Sequence, residues 1–174
     1  DLLKEIPLEN FVWIDLNDVP EDAETELEQF LKIYIQEEEE MEEIEISSRY
    51  METEDTLVAN SRFLLDNFEE EPISFIVKNH ILVSVRSQEL RSFNETVKKM
   101  FANPRNYPNG FYILVALLET RVEYDADMIE ELAKEITQLS NRLKTDDDVS
   151  DDILIAIKEL QEKTMLIREN IIDK

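Results

Sequence analysis

The sequence predicts an α/β fold: a mixed β-sheet flanked by helices in an α/β/α sandwich, followed by a long antiparallel helical hairpin. Three observations carry that expectation. Apolar runs rich in β-branched and aromatic residues occur at residues 11–16 and 72–86. Segments with apolar residues three and four apart lie between and after them. The last third of the chain reads as two long amphipathic helices joined by an acidic turn. Of the 174 residues, 43% are hydrophobic, which is enough to build a core rather than leave the chain disordered. Residues 1–110 are expected to form the α/β part and residues 111–174 the helical hairpin.

Phe11-Val12-Trp13-Ile14-Asp15-Leu16 is a short buried strand by its composition. Asn17-Asp18-Val19-Pro20 stops it and opens a helix, with Pro20 suited to the first helical position. Leu27, Phe30, Leu31 and Tyr34 give that helix one apolar face. Residues 37–45 are mostly Glu, with Met41 and Ile44 as a thin apolar stripe, and are expected to form a short exposed helix weakened by like-charge repulsion. One or two strands follow within residues 46–65, on Leu57, Val58, Phe63 and Leu64.

Residues 72–86 read as a hairpin. Ile73, Phe75 and Val77 alternate with Ser74 and Ile76, Lys78-Asn79-His80 turns, and Ile81-Leu82-Val83-Ser84-Val85 returns. Asn79 tolerates the positive φ of a tight turn. Ser87 is expected to cap a helix running to about Ala102, with Leu90, Phe93, Val97 and Phe101 facing inward. Residues 103–110 carry two prolines, three asparagines and a glycine, which is loop chemistry. Ile129, Leu132, Ile136, Leu139 and Leu143 then mark one helix, and Ile153, Ile157, Leu160, Ile167 and Ile171 a second. Asp146-Asp147-Asp148-Val149-Ser150 lies between them, with Ser150 or Asp151 as the cap. Leu154, Ile155, Met165, Leu166 and Ile172 widen the second helix's apolar face, so it is expected to pack against more than one partner. That helix still runs at Lys174 and the chain begins at Asp1, the pattern expected of a piece of a longer protein.

Composition excludes several functions. There are 42 acidic and 18 basic residues, for a net charge of -24. Such a surface repels nucleic-acid phosphates and anionic lipid headgroups and attracts basic proteins and metal ions. With no cysteine, disulfides, thiolate catalysis and Cys-type zinc sites are excluded. One glycine, Gly110, cannot supply a P-loop or a dinucleotide fingerprint. The longest apolar run, residues 111–118, falls far short of the roughly 20 residues that span a bilayer. The Asp146–Asp152 region lacks the sixth-position Gly and twelfth-position Glu of a calcium loop and reads as a capped, solvated turn. His80 is expected to be an exposed turn residue, Trp13 a core residue, and the 37–45 run, from charge patterning alone, a solvated face. No catalytic constellation is visible, so the chain is not expected to be an enzyme.

The order of these elements resembles the cytoplasmic domain of CorA-type magnesium channels. The strand at 11–16 is similar to that family's "WIDL"-like opening, Met41-Glu42-Glu43-Ile44 to its "LEDI"-like segment, and Arg49 falls near its "RPK"-like positions. The hairpin ending in Val83-Ser84-Val85-Arg86 is similar to its "LvtvR" strand, and Leu160-Gln161-Glu162 with Ile167-Arg168-Glu169 to a later "LqE…lRE" helix. The resemblance covers nearly the whole chain. It implies a homopentameric parent in the inner membrane with this domain on the cytoplasmic face, followed by a stalk helix, two membrane helices and a Gly-Met-Asn pore motif. It also implies that Mg²⁺ bridging acidic residues between subunits favours the closed channel. Glu43, then Glu42, occupy the matching ligand positions, although the family more often has Asp there. The partner acid would lie on the stalk, so the chain would hold half a site. Mg²⁺ suits such a site, because it takes oxygen ligands and keeps several waters.

Three functions therefore compete. The chain is the regulatory domain of a magnesium channel, the corresponding domain of a zinc or other divalent-metal transporter, or a stand-alone acidic interaction module. A single His and no Cys weaken zinc binding by this domain itself.

Overall fold

A computed structural model describes residues 6–36, 49–145 and 151–172. In them the chain runs β1 (Trp13–Asn17), α1 (Glu21–Leu31), β2 (Tyr50–Glu52), β3 (Thr56–Leu64), β4 (Glu70–Lys78), β5 (Ile81–Arg86), α2 (Arg91–Ala102), α3 (Gly110–Thr145) and α4 (Asp151–Ile172). The five strands form one sheet in the order β1-β5-β4-β3-β2. Only β1 is parallel to its neighbour, pairing Asp15 with Ser84 and Asn17 with Arg86. The other three pairings are antiparallel, so the sheet is mixed, as expected.

Both faces of the sheet are covered. Leu27 and Leu31 of α1, with Ile35 beyond it, pack on Leu16, Ile76, Ile81, Val83 and Val85. On the other face Phe93 of α2 and Ile113, Leu114 and Leu117 of α3 pack on Phe63, Phe75, Val77 and Leu82. Phe63, Phe75 and Phe93 form the centre, with ring centroids 6.0 to 6.3 Å apart. Double coverage explains why β4 is buried continuously from Ile73 to Val77, Ser74 included, where alternation suggested one wet face.

Several local expectations shift. Pro20 is the N-cap of α1 rather than its first residue, and Glu21, Asp22 and Glu24 follow in the first turn, where the helix dipole favours acids. Lys32, left-handed at φ 54°, ends the helix. The turn it makes swings Tyr34 into solvent at 62% exposure and buries Ile35 instead. Ser87 does not cap α2, which begins four residues later behind Leu90. Phe101 is 84% exposed, because the buried stripe of α2 runs through Phe93 and Thr96, with Met100 packed alongside, and leaves Phe101 past its edge. The hairpin turn is two residues, Asn79 (φ 55°) and His80, and His80 is half-buried rather than exposed.

The sole glycine holds a close approach. The Gly110 N–H donates to the His80 carbonyl at 2.6 Å. A Cβ there would lie 2.7 Å from the Ile81 carbonyl carbon and nearer still to the Leu82 nitrogen. α3 therefore starts pressed against the β4–β5 turn, plunges through the core, and continues out of it. Its 36 residues span about 54 Å.

α4 returns along α3 as the expected antiparallel hairpin. Leu132 and Ile167 meet Leu64 of β3 in a small third cluster. Leu139 and Ile153 are buried as well, whereas Ile129, Ile136, Leu143 and Ile171 remain 39 to 46% exposed. Two helices in contact bury one stripe each, which leaves the flanks of a wider apolar face open.

Candidate functional site

Glu42 and Glu43, the residues matched to a metal role, lie outside the described residues, as do the 37–45 acidic run and the 146–150 turn. The residues on either side of the first of these converge on one point of the sheet. Asn60 of β3 donates to the Gln36 side chain at 2.7 Å, and its backbone N–H donates to the Arg49 carbonyl at 2.8 Å. Gln36 and Arg49, the described residues that flank the acidic segment, thus both meet Asn60. Among the described residues, no three His, Asp or Glu side chains are grouped so as to hold a metal ion. Asp151 and Asp152 are the first residues of α4, where the helix dipole accounts for them.

The strand residues singled out by motif do converge. The Trp13 indole N–H donates to Ser84 Oγ at 2.9 Å, and Ser84 Oγ donates to Asp15 Oδ1 at 2.7 Å. Arg86 donates to both oxygens of that carboxylate, at 3.2 and 2.7 Å. Its guanidinium lies 4.7 Å over the Phe93 ring and also donates to the Gln88 carbonyl. Buried Glu71 accepts from the N–H groups of Ser87 (2.5 Å) and Gln88 (2.9 Å). Parallel pairing of β1 with β5 brings Trp13, Asp15, Ser84 and Arg86 together, while Glu71 of β4 joins the sheet to the turn before α2.

A second polar node was not foreseen. Arg121 of α3 is only 3% exposed. It donates to the Leu64 carbonyl at 2.6 Å and to Asn170 Oδ1 at 3.2 Å, and pairs with Asp125 at 2.6 Å. Asn170 of α4 donates in turn to the Arg62 carbonyl at 2.9 Å. The guanidinium also covers Phe63, 5.0 Å from its centroid. Burial pushes the Arg121 guanidinium below its ordinary pKa despite the opposing pull of Asp125. This node ties β3, α3 and α4 together. In sequence, Arg121 and Asn170 look like ordinary polar residues of amphipathic helices, and only their burial sets them apart.

Among the described residues, several concavities adjoin the hairpin. One of about 260 Å³ lies between the β3–β4 turn, the start of α2 and the side of α3. A second of about 460 Å³ adjoins it and is lined by Asp127, Glu131, Glu135 and Lys163. A third, about 600 Å³ and mostly apolar, runs between α3 and α4 along Ile136, Leu143, Ile157 and Met165. No described helix is long and apolar enough to cross a membrane.

Comparison with known proteins gives one consistent result. The family model described as CorA-like Mg2+ transporter protein matches residues 9–174. The magnesium transport protein CorA of Wolinella succinogenes is 36% identical over 174 residues, covering 95% of this chain and 54% of that protein. The chain therefore spans about half the length of the curated relative it matches. Among solved structures, the complete CorA magnesium transporter of Methanocaldococcus jannaschii superposes with a TM-score of 0.76 at 16% identity, over 97% of this chain and 55% of that one. The ZntB cytoplasmic domain of Vibrio parahaemolyticus gives 0.66 at 14% identity, over 92% and 64%. At such identities the two structures speak for the fold.

Proposed function

This chain belongs to the CorA-like Mg2+ transporter protein family, and from that membership we propose that it is the cytoplasmic, divalent-cation-sensing part of a magnesium transporter. The observation that carries the reading is the family match across residues 9–174, which takes in sheet, flanking helices and hairpin alike. In this reading Mg²⁺ is both cargo of the whole protein and its regulator. Glu43 and Glu42 offer oxygen ligands on one subunit, and an acid of a neighbouring subunit in a pentamer completes the site. Dense carboxylates across such an interface repel one another until a cation lies between them, so occupancy biases the assembly toward its closed form. The high negative charge supports the reading by concentrating cations at the surface. Placing the domain on the cytoplasmic face of the inner membrane is part of the same proposal. The zinc-transporter alternative rests on a shared fold with the ZntB domain, and the single His and absent Cys do not add to it.

Thermal melting with MgCl2, against NaCl at equal ionic strength, tests the sensing role. Magnesium is expected to raise Tm by several degrees beyond the sodium control, and the Glu42→Ala plus Glu43→Ala variant to lose that excess. An excess that survives in the double variant would sink a magnesium site at these residues; equal effects of the two salts would mean that Glu42 and Glu43 hold no ion without the stalk's acid.

A further inference from the structure

Gly110 is the sole glycine of the chain, and Asn109 precedes it. An Asn-Gly pair carries a reaction of its own. Glycine has no Cβ to shield its nitrogen, so that nitrogen can add to the Asn side-chain carbonyl carbon and close a five-membered imide. The close approach of α3 to the β4–β5 turn falls at the same two residues.

Both reacting groups are engaged in the folded chain. The Gly110 nitrogen must lose its proton before it attacks, and its N–H donates to the His80 carbonyl at 2.6 Å. Gly110 is buried and packs on the backbone of Ile81 and Leu82, which keeps solvent base from that N–H. Asn109 Oδ1 accepts from the N–H groups of Phe111 at 3.1 Å and Tyr112 at 3.4 Å, so the carboxamide serves as the N-cap of α3. The two locks depend on each other. One is the contact between α3 and the turn, and the other exists only while the first turn of α3 is formed.

We propose that Asn109 is a latent modification site, deamidated when the start of α3 lifts from the β4–β5 turn. The deprotonated Gly110 nitrogen then bonds to Asn109 Cγ, the side-chain nitrogen leaves as ammonia, and a succinimide forms. Water opens that ring at either carbonyl, and no other reactant is needed. Opening at Cγ yields an aspartate. Opening at the Asn109 backbone carbonyl yields an isoaspartate, whose main chain runs through the former side chain and is one carbon longer. An aspartate keeps the cap and suits the helix dipole. The isoaspartate puts its extra carbon directly before Gly110, where even a Cβ would lie 2.7 Å from the Ile81 carbonyl carbon. α3 then cannot reseat, so this product releases the helix start for good. The site is independent of the magnesium reading.

Peptide mass mapping of the chain held in mildly alkaline buffer, either folded or unfolded in guanidinium chloride, tests this. Conversion at Asn109 is expected to be at least about tenfold slower in the folded chain, since opening must precede it. Ile113→Val trims a fully buried side chain in the first turn of α3 and is expected to raise the folded rate severalfold. Leu139→Val, buried far along the hairpin, is expected to leave that rate unchanged. The two products are separable by chromatography. The isoaspartyl chain is expected to melt several degrees below the parent, and the aspartyl chain, like the Asn109→Asp variant, to melt with it. A folded chain that converts as fast as the unfolded one would overturn the gate, as would equal acceleration by the two variants. An isoaspartyl chain that melts with the parent would overturn the release of α3.

Discussion

Asp15 and Arg86 stand 71 positions apart and share two hydrogen bonds. Arg86 is nearly buried, at 5% side-chain exposure, whereas Asp15 keeps 27%. Removing the carboxylate's charge leaves a guanidinium in the core whose one remaining charged partner among the described residues is the exposed Glu89 at 3.9 Å, a costly state. Asp15→Asn is therefore expected to lower stability by roughly 2 kcal/mol, the partial exposure of Asp15 keeping the loss below that of a fully buried pair. A lower urea midpoint at unchanged slope would show it. Asn170→Ala acts differently, because it strips the Arg62 carbonyl and Arg121 of one partner each at the point where α4 meets the sheet. A loss of about 1–3 kcal/mol is expected. Hydrogen exchange should quicken in α4 while β4 and β5 keep their protection; uniform acceleration across the sheet would contradict a local tether. The motif letters Trp13, Asp15 and Arg86 were visible in sequence, but their bonding depends on a parallel register that no local pattern encodes. Arg121 and Asn170 were not visible at all, since burial of a polar residue on an amphipathic helix is decided by what folds over it.

Hydrophobic periodicity made most elements legible: β1, the β4–β5 hairpin with Asn79 at its turn, and the two arms of the helical hairpin. What it could not show was where an element begins when its start is set by a distant contact. α2 is an example. The buried Glu71 carboxylate holds the N–H groups of Ser87 and Gln88, so these residues form a bonded turn and the helix begins behind Leu90. α3 is another. Gly110 read as a loop residue, yet it is the first residue of the helix, chosen because nothing larger fits against Ile81 and Leu82. The obstacle there is backbone, which cannot move aside as a side chain can. Gly110→Ala is expected to cost about 2 kcal/mol or more by forcing α3 away from the β4–β5 turn. The same substitution in an unobstructed helix would stabilise by up to about 1 kcal/mol, so the sign of the change in Tm decides whether this contact is as tight as described.

At the scale of the whole molecule two features oppose each other. A charge of -24 on 174 residues makes copies of the chain repel, and the repulsion falls with ionic strength. Against it, the outer face of the hairpin leaves Leu154, Ile155, Met165 and Ile172 at 55 to 67% exposure, apolar surface that favours association. The balance between them should respond to any cation, but differently according to mechanism. If cations act only by screening, MgCl2 and NaCl at equal ionic strength shift sedimentation equally. If Mg²⁺ bridges Glu42 and Glu43 to carboxylates that neighbouring copies of this chain themselves carry, rather than to a stalk acid, magnesium must promote association in excess of the sodium control. Sedimentation velocity at several protein concentrations is expected to show that excess, and the Glu42→Ala plus Glu43→Ala variant to lose it while still responding to salt. A variant that associates more readily than the parent in both salts would mean that removing two charges simply relieves repulsion. The acidic segment would then be a solvated face, as charge patterning alone suggested, and the bridging role would have to be abandoned.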